Sequence, residues 1–216
     1  MTLVDQILKS PRMPQYLRQI NDAAESEKLR REEFYENIGD DRKEEFINGE
    51  TIVHSPVRLS HDNVSGAIYG LLRAHVKRHA SGYVGHEKLL ICLTRNDYEP
   101  DICFFCKDKA AAFTDDQMKF PAPDFVVEVL SPSTQQTDRT TKFDDYAVHT
   151  VSEYWIVDAD AQTIEQYLLK GEAYELALKV NDGRLRSKAV PGFEIPVRAA
   201  FDDAANLQAL SEILAG

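Results

Sequence analysis

Residues 121–134 read PAPDFVVEVLSPST, and the fold follows from that stretch. Phe125, Val126, Val127, Val129 and Leu130 make an apolar run bounded by prolines and a Ser-Pro pair, the signature of a buried strand. Glu128 sits inside it. A carboxylate there is costly to bury unless it is ion-paired, hydrogen-bonded or bound to a metal. Strand alternation puts Asp124, Val126, Glu128 and Leu130 on one face and Phe125, Val127 and Val129 on the other, so Glu128 has one direction in which to point.

Working outward, a second apolar run, PDICFFC (100–106), opens on Asp101 directly after Pro100. Strand-like segments are expected at Tyr83–Leu93, Asp101–Cys106 and Asp124–Leu130. If Asp101 and Glu128 lie on adjacent strands with the same facing, both can meet one Mg²⁺, an ion commonly held by one or two carboxylates plus phosphate. The other reading is a buried salt bridge from Glu128 to an Arg or Lys. Spacing leaves both open.

After the polar loop SPSTQQT, a helix is expected from about Asp138 to His149, with Thr137 or Asp138 suited to cap it. Asp138, Lys142 and Tyr146 recur every four residues and share a face. On an exposed helix Asp138 and Lys142 would be a weak surface pair; on a face turned toward the preceding strand, Lys142 brings an ammonium to the two carboxylates. Between Asp62 and His79, Val64, Ala67, Ile68, Leu71, Leu72 and Val76 form a helical apolar stripe, opposite Arg73, Lys77 and Arg78. Those three bases read as a solvated helix face in preference to a phosphate contact. EEFINGETIV (44–53) is a hairpin with Asn48-Gly49 at its turn, and residues 1–35 are helical pieces broken by Pro11 and Pro14. EYWIVDA, TIEQYLLK, Ala173–Val180 and Arg184–Ala189 form a run of antiparallel strands.

The chain has 216 residues, 43% hydrophobic and 28% charged, enough for one domain with extensions. It lacks a run of about 18 uncharged apolar residues, so no membrane helix is expected. Its start has no basic flank before an apolar core, so a cytoplasmic protein is expected. Cys92, Cys103 and Cys106 cannot all pair, and they read as reduced thiols buried like small hydrophobes rather than as a metal knuckle. A net charge of −11, from 36 acidic and 25 basic residues, disfavours coating of nucleic acid by charge alone. A divalent ion neutralises its carboxylate ligands, and a local basic patch survives on an acidic protein.

The segments EFINGE (45–50), SP (55–56), His61, EPD (99–101), PAPDFVVEVLSPST (121–134), DRTTKFDDY (138–146), EYWIVD (153–158) and PGF (191–193) together strongly resemble the Uma family of restriction endonucleases, placed in the PD-(D/E)XK nuclease superfamily. The resemblance spans about residues 35–200. It implies an α/β (α+β) fold with a restriction-endonuclease-like core, a central mixed sheet flanked by helices, and an antiparallel strand-rich C-terminal part. The corresponding boundaries are a helical extension over 1–35, the nuclease-like domain over 36–200 and a helical tail over 201–216. It further implies that Asp101 and Glu128 are metal ligands for Mg²⁺ or Mn²⁺. The superfamily lysine two positions after the Glu is replaced here by Leu130, and Lys142 stands as its migrated equivalent. His61 is a candidate supporting residue or a helix cap, Glu45 a candidate additional acid, and Tyr154 and Trp155 belong to the core. The expected function is metal-dependent hydrolysis of DNA by a homodimer. The alternatives are a catalytically silent binding or regulatory module with the same fold and, lacking a G-x-S-x-G elbow around Ser131 or Ser133, a less favoured serine hydrolase.

Overall fold

A computed structural model describes residues 1–39 and 42–215 and divides the chain into two compact units, Met1–His54 and Ser55–Gly216. In the first unit, helix α1 (Leu3–Leu8) is closed at its start by a capping box between Thr2 and Asp5, followed by α2 (Met13–Asn37). Pro14 does not break a helix as the sequence suggested. It occupies the first turn of α2, where its missing N–H is not needed. Strands β1 (Glu44–Ile47) and β2 (Glu50–Val53) form the expected hairpin. Its turn residues Asn48 and Gly49 both take positive φ, 52° and 86°, as a tight hairpin turn demands.

The second unit begins with α3 (Leu59–His79), then β3 (Gly82–His86), β4 (Leu90–Cys92), β5 (Asp97–Tyr98), β6 (Ile102–Cys106) and the short helix α4 (Lys107–Ala110). There follow β7 (Lys119–Phe120), β8 (Phe125–Val129), α5 (Gln135–Arg139), α6 (Thr141–Val148), β9 (Glu153–Asp158), β10 (Thr163–Lys170) and β11 (Ala173–Val180). The chain ends with β12 (Arg184–Arg186), β13 (Glu194–Pro196), a 3₁₀ turn (Val197–Ala200) and α7 (Asp203–Ala215). Its main sheet has the order β11-β10-β9-β8-β6-β3. Only β8 and β9 run parallel in it, because a parallel pair needs a crossover and α5 with α6 provides one. This is the expected mixed sheet, and β9, β10 and β11 are its antiparallel C-terminal part.

Alternation along β8 sorts the layers. Phe125, Val127 and Val129 join Val64, Ile68, Leu71 and Leu72 of α3, Trp155 of β9 and Ala209 of α7 in the apolar core. Glu128 is directed to the opposite side, where Lys142 and Tyr146 of α6 meet it. Tyr154 and Trp155 are fully buried, as expected for core residues. Among the described residues no helix is long and apolar enough to cross a membrane.

Two expectations fail locally. The Tyr83–Leu93 strand is two strands, β3 and β4, separated by a turn at Glu87 with φ 57°. The single helix over 138–149 is likewise two helices, broken at Thr140 (φ −129°, ψ −82°). The Thr140 hydroxyl donates to the Gln136 carbonyl at 2.7 Å, a local bond that competes with helix continuation. Helix α5 also starts three residues before Asp138, so neither Thr137 nor Asp138 is a cap, and Thr134, which is, makes no side-chain capping bond.

Candidate active site

The register of β6 against β8 pairs Ile102 with Val127 and Cys103 with Val126, and one step further it sets Asp101 opposite Glu128. The sequence could not supply this pairing, because it depends on how two segments 27 residues apart align. Both carboxylates are buried, Asp101 3% and Glu128 2% exposed. The two strand ends are cross-linked through them: the Val129 N–H donates to Asp101 Oδ2 at 2.8 Å, and the Asp101 N–H reaches Glu128 Oε2 at 3.4 Å.

Helix α6 delivers Lys142 to this pair. Its Nζ lies 3.0 Å from Glu128 Oε1 and 3.3 Å from Asp138 Oδ1, and the side chain is 2% exposed. The break at Thr140 leaves the four-residue spacing of Asp138 and Lys142 effective, since both still converge on one point. Tyr146, the next member of that face, brings its hydroxyl to 3.5 Å from Glu128 Oε1. Tyr98 completes the wall. Its ring lies 5.7 Å from Lys142 Nζ and 5.3 Å from the Tyr146 ring, and its hydroxyl donates to Asp145 Oδ2 at 2.8 Å. Both readings left open by spacing therefore bear on one carboxylate: Glu128 is in a buried ion pair, and it faces a second carboxylate across the sheet.

His61 does not cap α3, whose N-cap is Arg58. From the first turn its Nε2 approaches Asp101 Oδ2 at 3.1 Å, joining the helix to the carboxylate. Glu45 belongs to the first unit, buried on β1 with its carboxylate 2.9 Å from His54 Nε2. A thiol and a phenol beside the pair are held in their protonated forms. Burial, reinforced by the charge of Glu128, pushes the Cys103 thiol up to about 12, and the same two causes, with Asp138 adding to them, raise Tyr154 well above the usual phenol range. Cys103 is thus an inert core residue, while Cys92 and Cys106 are partly exposed thiols.

Asp138, Tyr146 and Tyr98 are members of this constellation that the sequence reading did not assign to the site. The spacing of Asp138 and Tyr146 with Lys142 was a usable signal. Tyr98, whose place depends on the short strand β5, had none. Glu153 also carried no signal beyond its motif. Its buried carboxylate accepts from Trp155 Nε1 at 2.6 Å, Gln166 Nε2 at 2.5 Å, the Ser187 hydroxyl at 2.7 Å and the N–H groups of Lys188 and Ala189, each at 2.7 Å.

The donor set suits a hard divalent ion. Among the described residues no three His, Cys, Asp or Glu side chains gather as a metal cluster. Two carboxylates, one on β8 and one at the entry to β6, are nevertheless the protein share expected for Mg²⁺, which keeps waters and takes substrate phosphate for its remaining positions.

A sequence-family model described as "Uma2: Putative restriction endonuclease" matches residues 31–198. The chain is 28% identical over 133 residues to an uncharacterized protein of Synechocystis sp., covering 60% of this chain and 74% of that one. It is similar in fold to the crystal structure of "a putative nuclease belonging to DUF820" from Anabaena variabilis, with a TM-score of 0.69 and 19% identity over 81% of this chain and 97% of that chain.

Proposed function

This chain belongs to the Uma2 family of "putative restriction endonucleases", and from that premise we propose that it is a divalent-metal-dependent endonuclease that hydrolyses phosphodiester bonds in DNA. The observation that carries the reading is the apposition of Asp101, immediately before β6, and Glu128 on the antiparallel neighbour β8, with the Lys142 ammonium 3.0 Å from Glu128. Asp101 and Glu128 would hold Mg²⁺ or Mn²⁺, which when bound supplies a water of lowered pKa and a Lewis acid for the phosphate.

The chain's own groups have separable tasks. His61 and the Val129 N–H hold the Asp101 carboxylate in one orientation. The Tyr98 ring lies against the Lys142 ammonium, Asp138 gives that ammonium a second anchor, and the Tyr146 hydroxyl approaches Glu128 Oε1. Lys142 is then positioned to stabilise negative charge developing on the phosphate, or to orient the attacking water. Cleavage of both strands calls for two such sites, and a homodimer is part of the proposal.

The test is nicking of supercoiled plasmid at low salt with Mn²⁺ or Mg²⁺. The wild-type protein is expected to nick, and Glu128→Ala to lose about 10²–10³-fold or more of the rate, the scale on which single electrostatic groups act. Nicking that persists in Glu128→Ala overturns the proposal. His61→Ala in the same assay tests its supporting role, and a rate equal to that of the wild type removes it from the site.

A second reading, a binding or regulatory module without turnover, is favoured by the closure of the site. Asp101, Glu128 and Lys142 are each at most 3% exposed, and Lys142 already neutralises Glu128. Calorimetry separates the two readings: absence of any divalent-metal binding favours this one.

A further inference from the structure

From His61, helix α3 carries a polar side chain at every fourth position: Ser65, Tyr69, Arg73 and Lys77. Each step advances about 6 Å along the helix, so the series runs outward from the Asp101 contact over roughly 24 Å. Three of its members, Ser65, Tyr69 and Arg73, are linked through His86. His61 touches Asp101, and the Ser65 hydroxyl lies 3.0 Å from His86 Nε2. The His86 ring stacks on Tyr69 with centroids 4.3 Å apart and planes 10° from parallel. Arg73 Nη1 donates to the Tyr69 hydroxyl at 2.8 Å, with its guanidinium carbon 5.6 Å from the ring centroid.

Tyr69 and His86 thus hold a guanidinium at the surface, and neither Arg73 nor exposed Lys77 pairs with a carboxylate among the described residues. Several cations of the second unit are instead held by carboxylates, as Arg139 and Lys179 are by Glu165 and Arg184 and Arg186 by Glu194. What distinguishes Arg73 in a chain of net charge −11 is that its guanidinium is oriented by a stacked tyrosine–histidine pair on the helix that carries His61 to Asp101.

Gly66 and Gly70 share that solvent face, falling with Arg73 and Lys77 within about 60° around the helix at 100° per residue. A Cβ added to either glycine would meet nothing within 4 Å, so internal packing does not call for glycine at these positions. Each costs helix stability relative to alanine. What two glycines provide is a bare stretch of helix backbone that a ligand can approach closely. Asp62 lies at the opposite end of this face from Lys77 and biases an anion toward the two cations.

We infer that the solvent face of α3, with Arg73 and Lys77 as its anion contacts and Gly66 and Gly70 as its floor, binds the sugar–phosphate backbone of the nucleic acid that the Asp101 and Glu128 site acts on. Tyr69 and His86 are positioning residues for Arg73. The inference rests on the nuclease reading for the identity of its ligand.

The experiment is fluorescence anisotropy of a labelled DNA duplex with the full-length protein in EDTA, so that turnover plays no part, across a salt series. Wild type is expected to bind with an affinity that falls as salt rises. Arg73→Ala and Lys77→Ala should each weaken binding and flatten the slope of log affinity against log salt by about 0.9, the value for one phosphate contact. Tyr69→Phe keeps the ring but removes the hydroxyl that orients Arg73, and should weaken binding less than Arg73→Ala. Gly66→Ala and Gly70→Ala should raise the thermal midpoint yet weaken binding, opposite effects that loss of folding cannot produce. Lys170→Ala, at a surface pair on the β10–β11 hairpin, should bind as wild type does.

Variants of α3 that bind like wild type overturn the inference, as does a wild-type protein that binds no DNA. A change in sedimentation with DNA binding unaltered overturns it too, because the glycine face would then seat a second copy of the chain. The nuclease reading fails separately, through nicking that survives Glu128→Ala, a variant expected to retain the α3-dependent binding.

Discussion

At the scale of single residues, Lys142 sets the balance between stability and chemistry. It is the cation between two buried carboxylates, at 3.0 Å from Glu128 and 3.3 Å from Asp138. Removing one partner of a buried pair leaves an uncompensated charge, so Lys142→Met is expected to lower unfolding stability by about 3–5 kcal/mol in urea denaturation. Combining it with Glu128→Gln should recover part of that loss, and an additive double variant would mean that the pair is not coupled. Glu153 is a different kind of buried acid, satisfied by neutral donors. Glu153→Ala strands the N–H groups of Lys188 and Ala189 and the Trp155 and Gln166 donors, and a loss of about 3 kcal/mol or more is expected in the same measurement. Glu128, out of place in an apolar strand, and Lys142, on a recurring face, were legible in the sequence. Tyr98 was not, because nothing local distinguishes a tyrosine that covers an ammonium from one that fills a core.

Among elements, the connection from β8 to β9 organises the site. Because these strands are parallel, α5 and α6 must cross over the sheet, and the crossover lays Lys142 against Glu128. Its other anchor is Glu165 on β10, which accepts from Arg139 of α5, Tyr167 and Lys179 of β11. Burial works to raise this carboxyl, but the hydrogen bonds from Arg139, Tyr167 and Lys179 outweigh it and hold it at about 2, against an ordinary 4.5. A carboxyl depressed on folding contributes stability that is present above its unfolded pKa and lost as pH falls toward its folded one. Stability should therefore decline between about pH 4.5 and pH 2, and Glu165→Gln should flatten that acid limb in denaturation midpoints. On α3 the prediction has the opposite sign: Gly66→Ala or Gly70→Ala should stabilise the protein by about 1 kcal/mol each, read by thermal melting. The hairpin at Asn48-Gly49 and the apolar stripe of α3 could be recognised from local spacing. The break at Thr140 and the turn at Glu87 escaped recognition because each depends on one backbone angle within an otherwise regular pattern.

For the whole molecule, the consequences are those of linkage. A divalent ion that binds the folded protein alone stabilises it by about 2.7 kcal/mol at a hundredfold excess over its Kd. For a chain of this size that is a rise of roughly 5–10 °C in Tm. Mg²⁺ or Mn²⁺ should produce such a rise in the wild type and not in Asp101→Asn, and equal shifts in both would remove Asp101 from the metal site. Sedimentation of the proposed homodimer should give about twice the 24.5 kDa chain mass. By itself the sequence determined the identity of the chemically costly residues and the periods of the segments that carry them, because a charge in an apolar strand and a four-residue recurrence are local facts. Only the tertiary structure decided that Asp101 faces Glu128, that Lys142 closes on both Glu128 and Asp138, and that His61 reaches a carboxylate instead of capping its helix. Those relations are set by strand register and by the path of the crossover, which join segments distant along the chain.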